Sequence, residues 1–224
     1  MSNYLEGMFS YGSRWELFVL PKALEEYINS VIKAPDASFK NGGYGIIAQK
    51  INEKIYSVLV FKNAKLMYAA PFYLADSLFS SAQIIKAEHT KYGETFITLS
   101  AGDETIKALA VDYNVNSKLY KKDTPVYLSA IAYSFSKVDL KIEKSVKGFM
   151  KQNGFFYDEY ILTSKIRDKD GLCYHALPLN SKFSSIPLYA PSIYLDAPGV
   201  NDFGAGDIFL SCYTKEFYDM IKQM

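Results

Sequence analysis

Residues 201–213 read NDFGAGDIFLSCY. The stretch admits two readings, and each implies a different fold. In one, Gly204-Ala205-Gly206 forms a backbone anion hole and Asp207 is the catalytic base that follows it. In the other, the glycines form a turn that feeds a buried strand, Ile208–Tyr213. Glycines before an apolar run are common turn signals. The chain on either side decides between the two.

Downstream, TKEFYDMIKQ has helical spacing. Upstream, residues 178–200 carry four of the eight prolines and read as loop with short extended pieces. Before them, YILTSKI and GLCYHAL flank Arg167-Asp168-Lys169-Asp170, which predicts a hairpin with both carboxylates as turn residues. Ile142, Val146, Phe149 and Met150 recur at three- and four-residue spacing, so a helix is expected over 138–152, stopped by Asn153-Gly154.

The first half has a similar order. Trp15–Leu20 reads as a short strand, and Pro21 suits the first position of a helix. Leu24, Tyr27, Ile28, Val31 and Ile32 place an amphipathic helix over 21–33. After the breaker Asn41-Gly42-Gly43, YGIIAQKI and IYSVLVF form a hairpin around Asn52-Glu53-Lys54. Residues 66–74 read as a strand, and Asp76 as the cap of a helix carrying Leu78, Ala82 and Ile85. ETFITLS and TIKALAVDY form a second hairpin around Ala101-Gly102-Asp103-Glu104. Residues 113–135 read as a connector ending in the extended PVYLSAIAYSF.

This order repeats. Residues 44–60 align with 160–177, each with a Lys-Ile pair (Lys50-Ile51, Lys165-Ile166) before a charged turn. Residues 71–85 align with 207–221, each an apolar strand running into a helix. The expected fold is α+β, from two duplicated sheet-plus-helix units. The first domain covers 1–113, the connector 114–135 and the second domain 136–224, which lacks a counterpart of the hairpin at 95–112.

In this order of elements the chain resembles the DNA sliding clamps, the family of proliferating cell nuclear antigen and the T4-like phage clamps. The resemblance is topological and covers about residues 15–223. WELFVLPKALEEYINSVI looks like the opening strand and first inner helix, and ETFITLSAGDETIKALAVDY like the hairpin closing the first domain. TPVYLSAIAYSFSKVDL looks like the interdomain connector. Clamp helices line a hole and point lysines at phosphates without reading bases. Lys137, Lys141, Lys144 and Lys151 fall on one side of the 138–152 helix with Lys147 close by, and the resemblance makes them the DNA contacts. It implies a DNA-encircling or DNA-associated processivity factor for replication, a non-enzymatic homo-oligomer. A polymerase or other partner peptide would bind an apolar pocket near the connector.

The opening stretch resembles a second family. Ribokinase-like sugar and nucleoside kinases carry a Gly-Ala-Gly-Asp turn, which Gly204, Ala205, Gly206 and Asp207 match. Asp207 would there deprotonate the acceptor hydroxyl. The chain departs from that family in having Asn201-Asp202-Phe203 before the turn, where an Asp-Thr pair is usual. Residues 208–224 are also too few for the remaining nucleotide-pocket helices.

Composition supports association over chemistry. The 224 residues are 49% apolar, with 19 Tyr and 15 Phe, and the net charge is +1, so no global basic field draws nucleic acid. Two cysteines, Cys173 and Cys212, make no disulfide framework, and Cys173 with His175 is two ligands short of a metal site. No metal or cofactor is expected. No signal peptide or membrane span is evident, so an intracellular setting is expected. A structural assembly subunit, for example of a virus particle, stands beside the processivity factor and the kinase as a third reading.

Overall fold

The computed structural model describes residues 15, 17–76, 78–79, 82–90, 93–139, 149–152, 159–179, 181–191 and 196–224. They form a mixed α+β fold dominated by two sheets. The first sheet is a meander of four antiparallel strands, β1 (Ala37–Asn41), β2 (Tyr44–Lys50), β3 (Ile55–Lys62) and β4 (Lys65–Tyr73). Its strands alternate between two faces, save at a bulge in the β3–β4 ladder where Met67 and Tyr68 pack on the same side. Ile46, Val58, Val60, Ala70 and Phe72 face the second sheet, whereas Leu59 and Ala69 face helix α1 (Leu24–Lys33). Helix α1 buries Leu24, Ile28 and Val31 on that face, and Tyr27 shares a 2.7 Å hydrogen bond with Ser57 of β3.

The second sheet holds thirteen strands among the described residues. Four lie before the midpoint of the chain: the short β5 (Leu78–Phe79), β6 (Gln83–His89), β7 (Thr95–Ala101) and β8 (Glu104–Ala110). Then come β9 (Val126–Ala132), β10 (Ser136–Val138), β11 (Phe149–Gln152) and β12 (Glu159–Leu162). The last are β13 (Ser164–Asp170), β14 (Cys173–Pro178), β15 (Ile186–Tyr189), β16 (Phe203–Ala205) and β17 (Asp207–Tyr213). The main path runs β10-β16-β13-β14-β15-β9-β17-β8-β7-β6, with β5 added to β9 and the β11–β12 pair to β17. The sheet curls on itself. Ile97, Leu99 and Ile106 from one end share a core with Tyr174, Ile186 and Leu188 from the other. Ser181 and Lys182 close the mouth by bonding Glu104 and Asp103.

Strand β17 is the hub. It pairs with β9 along its whole length, and with β12 and β8 on its other edge. Ile208, Leu210 and Cys212 enter the curled core, and Phe209 and Tyr213 enter the layer between the two sheets. The IFLSCY run is thus buried on both faces, as its near-continuous hydrophobicity requires. After the short α2 (Tyr113–Asn116) earlier in the chain, helix α3 (Lys215–Lys222) follows β17, capped by Thr214, whose side chain accepts from Phe217 N.

Several expectations hold: the 21–33 helix, the hairpins at 44–61 and 95–110, the strands at 66–74 and 208–213, and the last helix; the hairpin expected over 160–177 is found at 164–178, residues 160–162 belonging instead to β12, which pairs with β11 and β17. Others do not. Trp15 and residues 17–20 are not a strand: Phe18 N and Val19 N both donate to Trp15 O at 2.8 Å. Trp15 is apolar because it is buried under α1, not because it pairs. The helix expected after Asp76 is instead β5 and β6, where buried Ile84 and exposed Ile85 alternate with period two. Asp76 bonds Tyr218 and Lys222 and caps nothing. The helix over 138–152 fails at both ends, since β10 reaches Val138 and β11 begins at Phe149; residues 140–148 lie outside the described residues. The hairpin turn falls at Gly171-Leu172, so Asp168 and Asp170 are strand residues.

The aligned segments of the apparent repeat also part company. Residues 71–85 run from strand into strand, and 207–221 from strand into helix. The connector contains β9, buried at every residue, and the large sheet takes strands from both sides of it.

Candidate functional site

The glycine turn comes first. Gly204 lies inside the large sheet, opposite Lys137 on one side and Ser164 on the other. A Cβ there would stand 2.6 Å from Phe135 Cζ and 2.7 Å from Pro198 Cγ. At Gly206 it would stand 1.7 Å from the carbonyl oxygen of Ser134. Asp207 N donates to Ser134 Oγ at 2.8 Å, and Asp207 O accepts from Tyr133 N at 2.8 Å. Close backbone approach therefore accounts for both glycines, and Ala205 lies between them in β16. Asp207 N, which an anion hole would need free, is committed to Ser134. The turn is the entry to the hub strand.

Of the lysines expected to contact DNA, the two among the described residues, Lys137 and Lys151, lie on different strands. Lys137 sits on β10, where its ammonium pairs with Asp202 at 2.8 Å and holds that carboxyl below its usual range. Lys151 falls in β11 rather than on a helix. Lys141, Lys144 and Lys147 lie outside the described residues. Cys173 and His175 share β14, and no three His, Cys, Asp or Glu side chains gather as a metal set among the described residues. No described helix is long and apolar enough to cross a membrane.

A buried polar cluster was not foreseen. Asp112 is 0% exposed. It accepts from Thr214 Oγ1 at 2.5 Å, from Asn116 Nδ2 at 2.8 Å and from the Tyr120 hydroxyl. Burial pushes its carboxyl up, and the three donors oppose that shift. The cluster fastens the cap of α3 to the end of β8 and is a structural joint. Its sequence signal is the Thr214 cap alone.

The open site lies on the first sheet. Helix α1 packs on β2, β3 and β4 through Ile47, Leu59 and Ala69, and the face beside β1 stays open. There a groove of about 650 Å³ is lined by Ile32, Pro35, Ser38, Lys40, Ile47 and Phe61, among others. Gly45 faces Lys40 and Phe61 across the ladders and adds no side chain to the floor. Ile32 is 42% exposed and Phe39 37%.

The outer boundary of this groove is β1, which among the described residues pairs only with β2. The hairpin turns at Gly42-Gly43, both at positive φ, and Asn41 faces Tyr44. This is the primed two-residue turn, whose flanking pair is hydrogen-bonded. Hydrogen-bonded and non-bonded pairs then alternate. Asn41, Phe39 and Ala37 bond to β2, and Ser38 and Lys40 turn their N–H and C=O outward.

Two other sheet edges, β4 and β6, are guarded. On β4, Pro71 has no N–H to offer, and Ser129 Oγ caps the Tyr73 carbonyl at 2.6 Å. On β6, a bulge between Ile84 and Lys86 breaks the register. Lys86 and Lys107 there flank Glu88 at 2.8 and 2.7 Å and hold its carboxyl down to about 2.

No family model, curated protein or solved structure matches the chain.

Proposed function

We propose that this chain is an assembly protein, joining neighbouring protein chains by continuing its first sheet across the contact at β1. The observation that carries this reading is the edge itself. It offers two outward N–H and C=O pairs beside an apolar groove, on a strand with neither the proline of β4 nor the bulge of β6 and with Lys40 as its charged residue. Strand addition uses those features: main-chain hydrogen bonds give affinity, and flanking pockets take alternate side chains. The processivity-factor reading also needs sheets paired across subunits, but its distinguishing lysine face has only Lys137 in a described setting, bound to Asp202. Assembly therefore leads.

Ser38→Pro tests it. The substitution removes an outward donor and leaves the β1–β2 bonds in place, because proline is tolerated at edge positions whose N–H faces solvent. Light scattering across a concentration series should show the wild-type mass rising and Ser38→Pro remaining monomeric with an unchanged melting temperature. Equal assembly by both proteins, or a wild type that stays monomeric throughout, overturns the reading.

A further inference from the structure

We propose that the strand added at β1 is β1 of a second copy, running antiparallel about a two-fold axis at Ser38. This rests on the assembly role above and names its partner. A strand that docks on an edge must meet outward-facing groups with outward-facing groups. For a strand pairing with its own copy, that condition forces the axis through a residue rather than between two. The choice among residues is then electrostatic.

An axis at Lys40 sets two ammonium groups face to face. An axis at Phe39 sets Lys40 diagonal to its own copy, within reach of a long side chain. An axis at Ser38 sets Lys40 opposite Asp36 of the second copy, and the symmetry repeats that pair. Both residues are exposed, and neither has a salt-bridge partner among the described residues. Asp36 holds Lys50 N at 2.7 Å through one carboxylate oxygen, Oδ2, leaving Oδ1 for the lysine. On the opposite face the same register lays Phe39 over Ala37. The result is an eight-stranded sheet crossing the dimer, closed by symmetry rather than open-ended. A ladder this short buries less than the roughly 1,000 Å² of a stable interface, so the dimer forms and dissociates with concentration.

Thiol cross-linking reads the register directly. In a Cys173→Ser background, Ser38→Cys and Lys40→Cys are made separately and treated with a short bifunctional thiol reagent. Facing residues lie about 5.5 Å apart between Cα atoms, whereas Lys40 and its copy are separated by four residues, about 13 Å along the strand. Ser38→Cys should give a cross-linked dimer at least about tenfold faster than Lys40→Cys. Lys40→Glu should weaken dimerisation by about tenfold, through two like-charged facing pairs. Asp36→Lys combined with Lys40→Glu should restore it.

Equal cross-linking rates, or a double variant no better than Lys40→Glu alone, overturn the proposal. If wild type assembles and Ser38→Pro does not, while Ser38→Cys shows no preference, the edge is used but takes a different strand. In that case the two-fold register fails and the assembly role survives. If wild type never assembles, both fail.

Discussion

Gly206→Ala is the sharpest test of what the glycine turn is for. The added methyl would stand 1.7 Å from Ser134 O, 2.5 Å from Ser134 C and 2.9 Å from Phe135 Cα, all backbone atoms. No rotamer relieves that contact, so the two chain segments must separate. Separation strains Tyr133 N to Asp207 O and Asp207 N to Ser134 Oγ, both 2.8 Å, each worth about 1 kcal/mol. Forced overpacking adds about 1–3 kcal/mol. The expected loss is about 3–5 kcal/mol, or about 6–20 °C in melting temperature for a chain of this size. Thermal and urea denaturation measure it. Asp207→Asn, which touches only the half-buried carboxylate and its Ser134 contact, should cost about 1 kcal/mol. A Gly206→Ala protein that melts within about 2 °C of wild type would refute close packing as the reason for the glycine and reopen the anion-hole reading.

Two further outcomes follow from local geometry. Ala64 sits at φ 64° in the β3–β4 turn, a conformation costing a non-glycine residue about 1 kcal/mol, so Ala64→Gly should raise the urea midpoint by a corresponding amount; a lowered midpoint would refute strain at this turn. Asp112 has a raised carboxyl in the folded state, so the fold binds that proton more tightly than the unfolded chain does. Its contribution is complete below the unfolded value, near 3.8, and is lost as pH rises through the folded value. The stability of wild type relative to Asp112→Asn should therefore grow as pH is lowered from neutral to about 4. A flat or shrinking difference in urea titrations would show that the donors, not burial, dominate that site.

What was legible in the sequence was local. The pattern of Leu24, Ile28 and Val31 names a helix because it buries one stripe, and YGIIAQKI with IYSVLVF names a hairpin because two runs rich in β-branched and aromatic residues flank the short break Asn52-Glu53-Lys54. The errors share one cause. Leu78, Ala82 and Ile85, and likewise Ile142, Val146 and Phe149, fit helical spacing in isolation. Yet β5 is extended because distant β9 supplies its partner, and β6 and β11 because each pairs with the strand that follows it, β7 and β12. Periodicity cannot see such partners. The same blindness explains Gly206, whose reason is a carbonyl 72 residues earlier, at Ser134. It explains Asp112 too, whose donor Thr214 is 102 residues away. The β1 edge was half legible: Asn41-Gly42-Gly43 announced a tight turn, but nothing local showed that the strand before it lacks a neighbour.

The position of β17 bears on how the molecule comes into being. Its partners β8 and β9 are synthesised long before it, and they bond to β17 rather than to each other. Until residues 207–213 leave the ribosome, both strands wait with one side incomplete and the core beneath them unsealed. Early-made pieces such as the first meander can form from near neighbours, whereas completion of the large sheet depends on distant ones and is correspondingly slow. The period between the two is when unpaired β8 and β9 are most exposed to capture by the wrong strand.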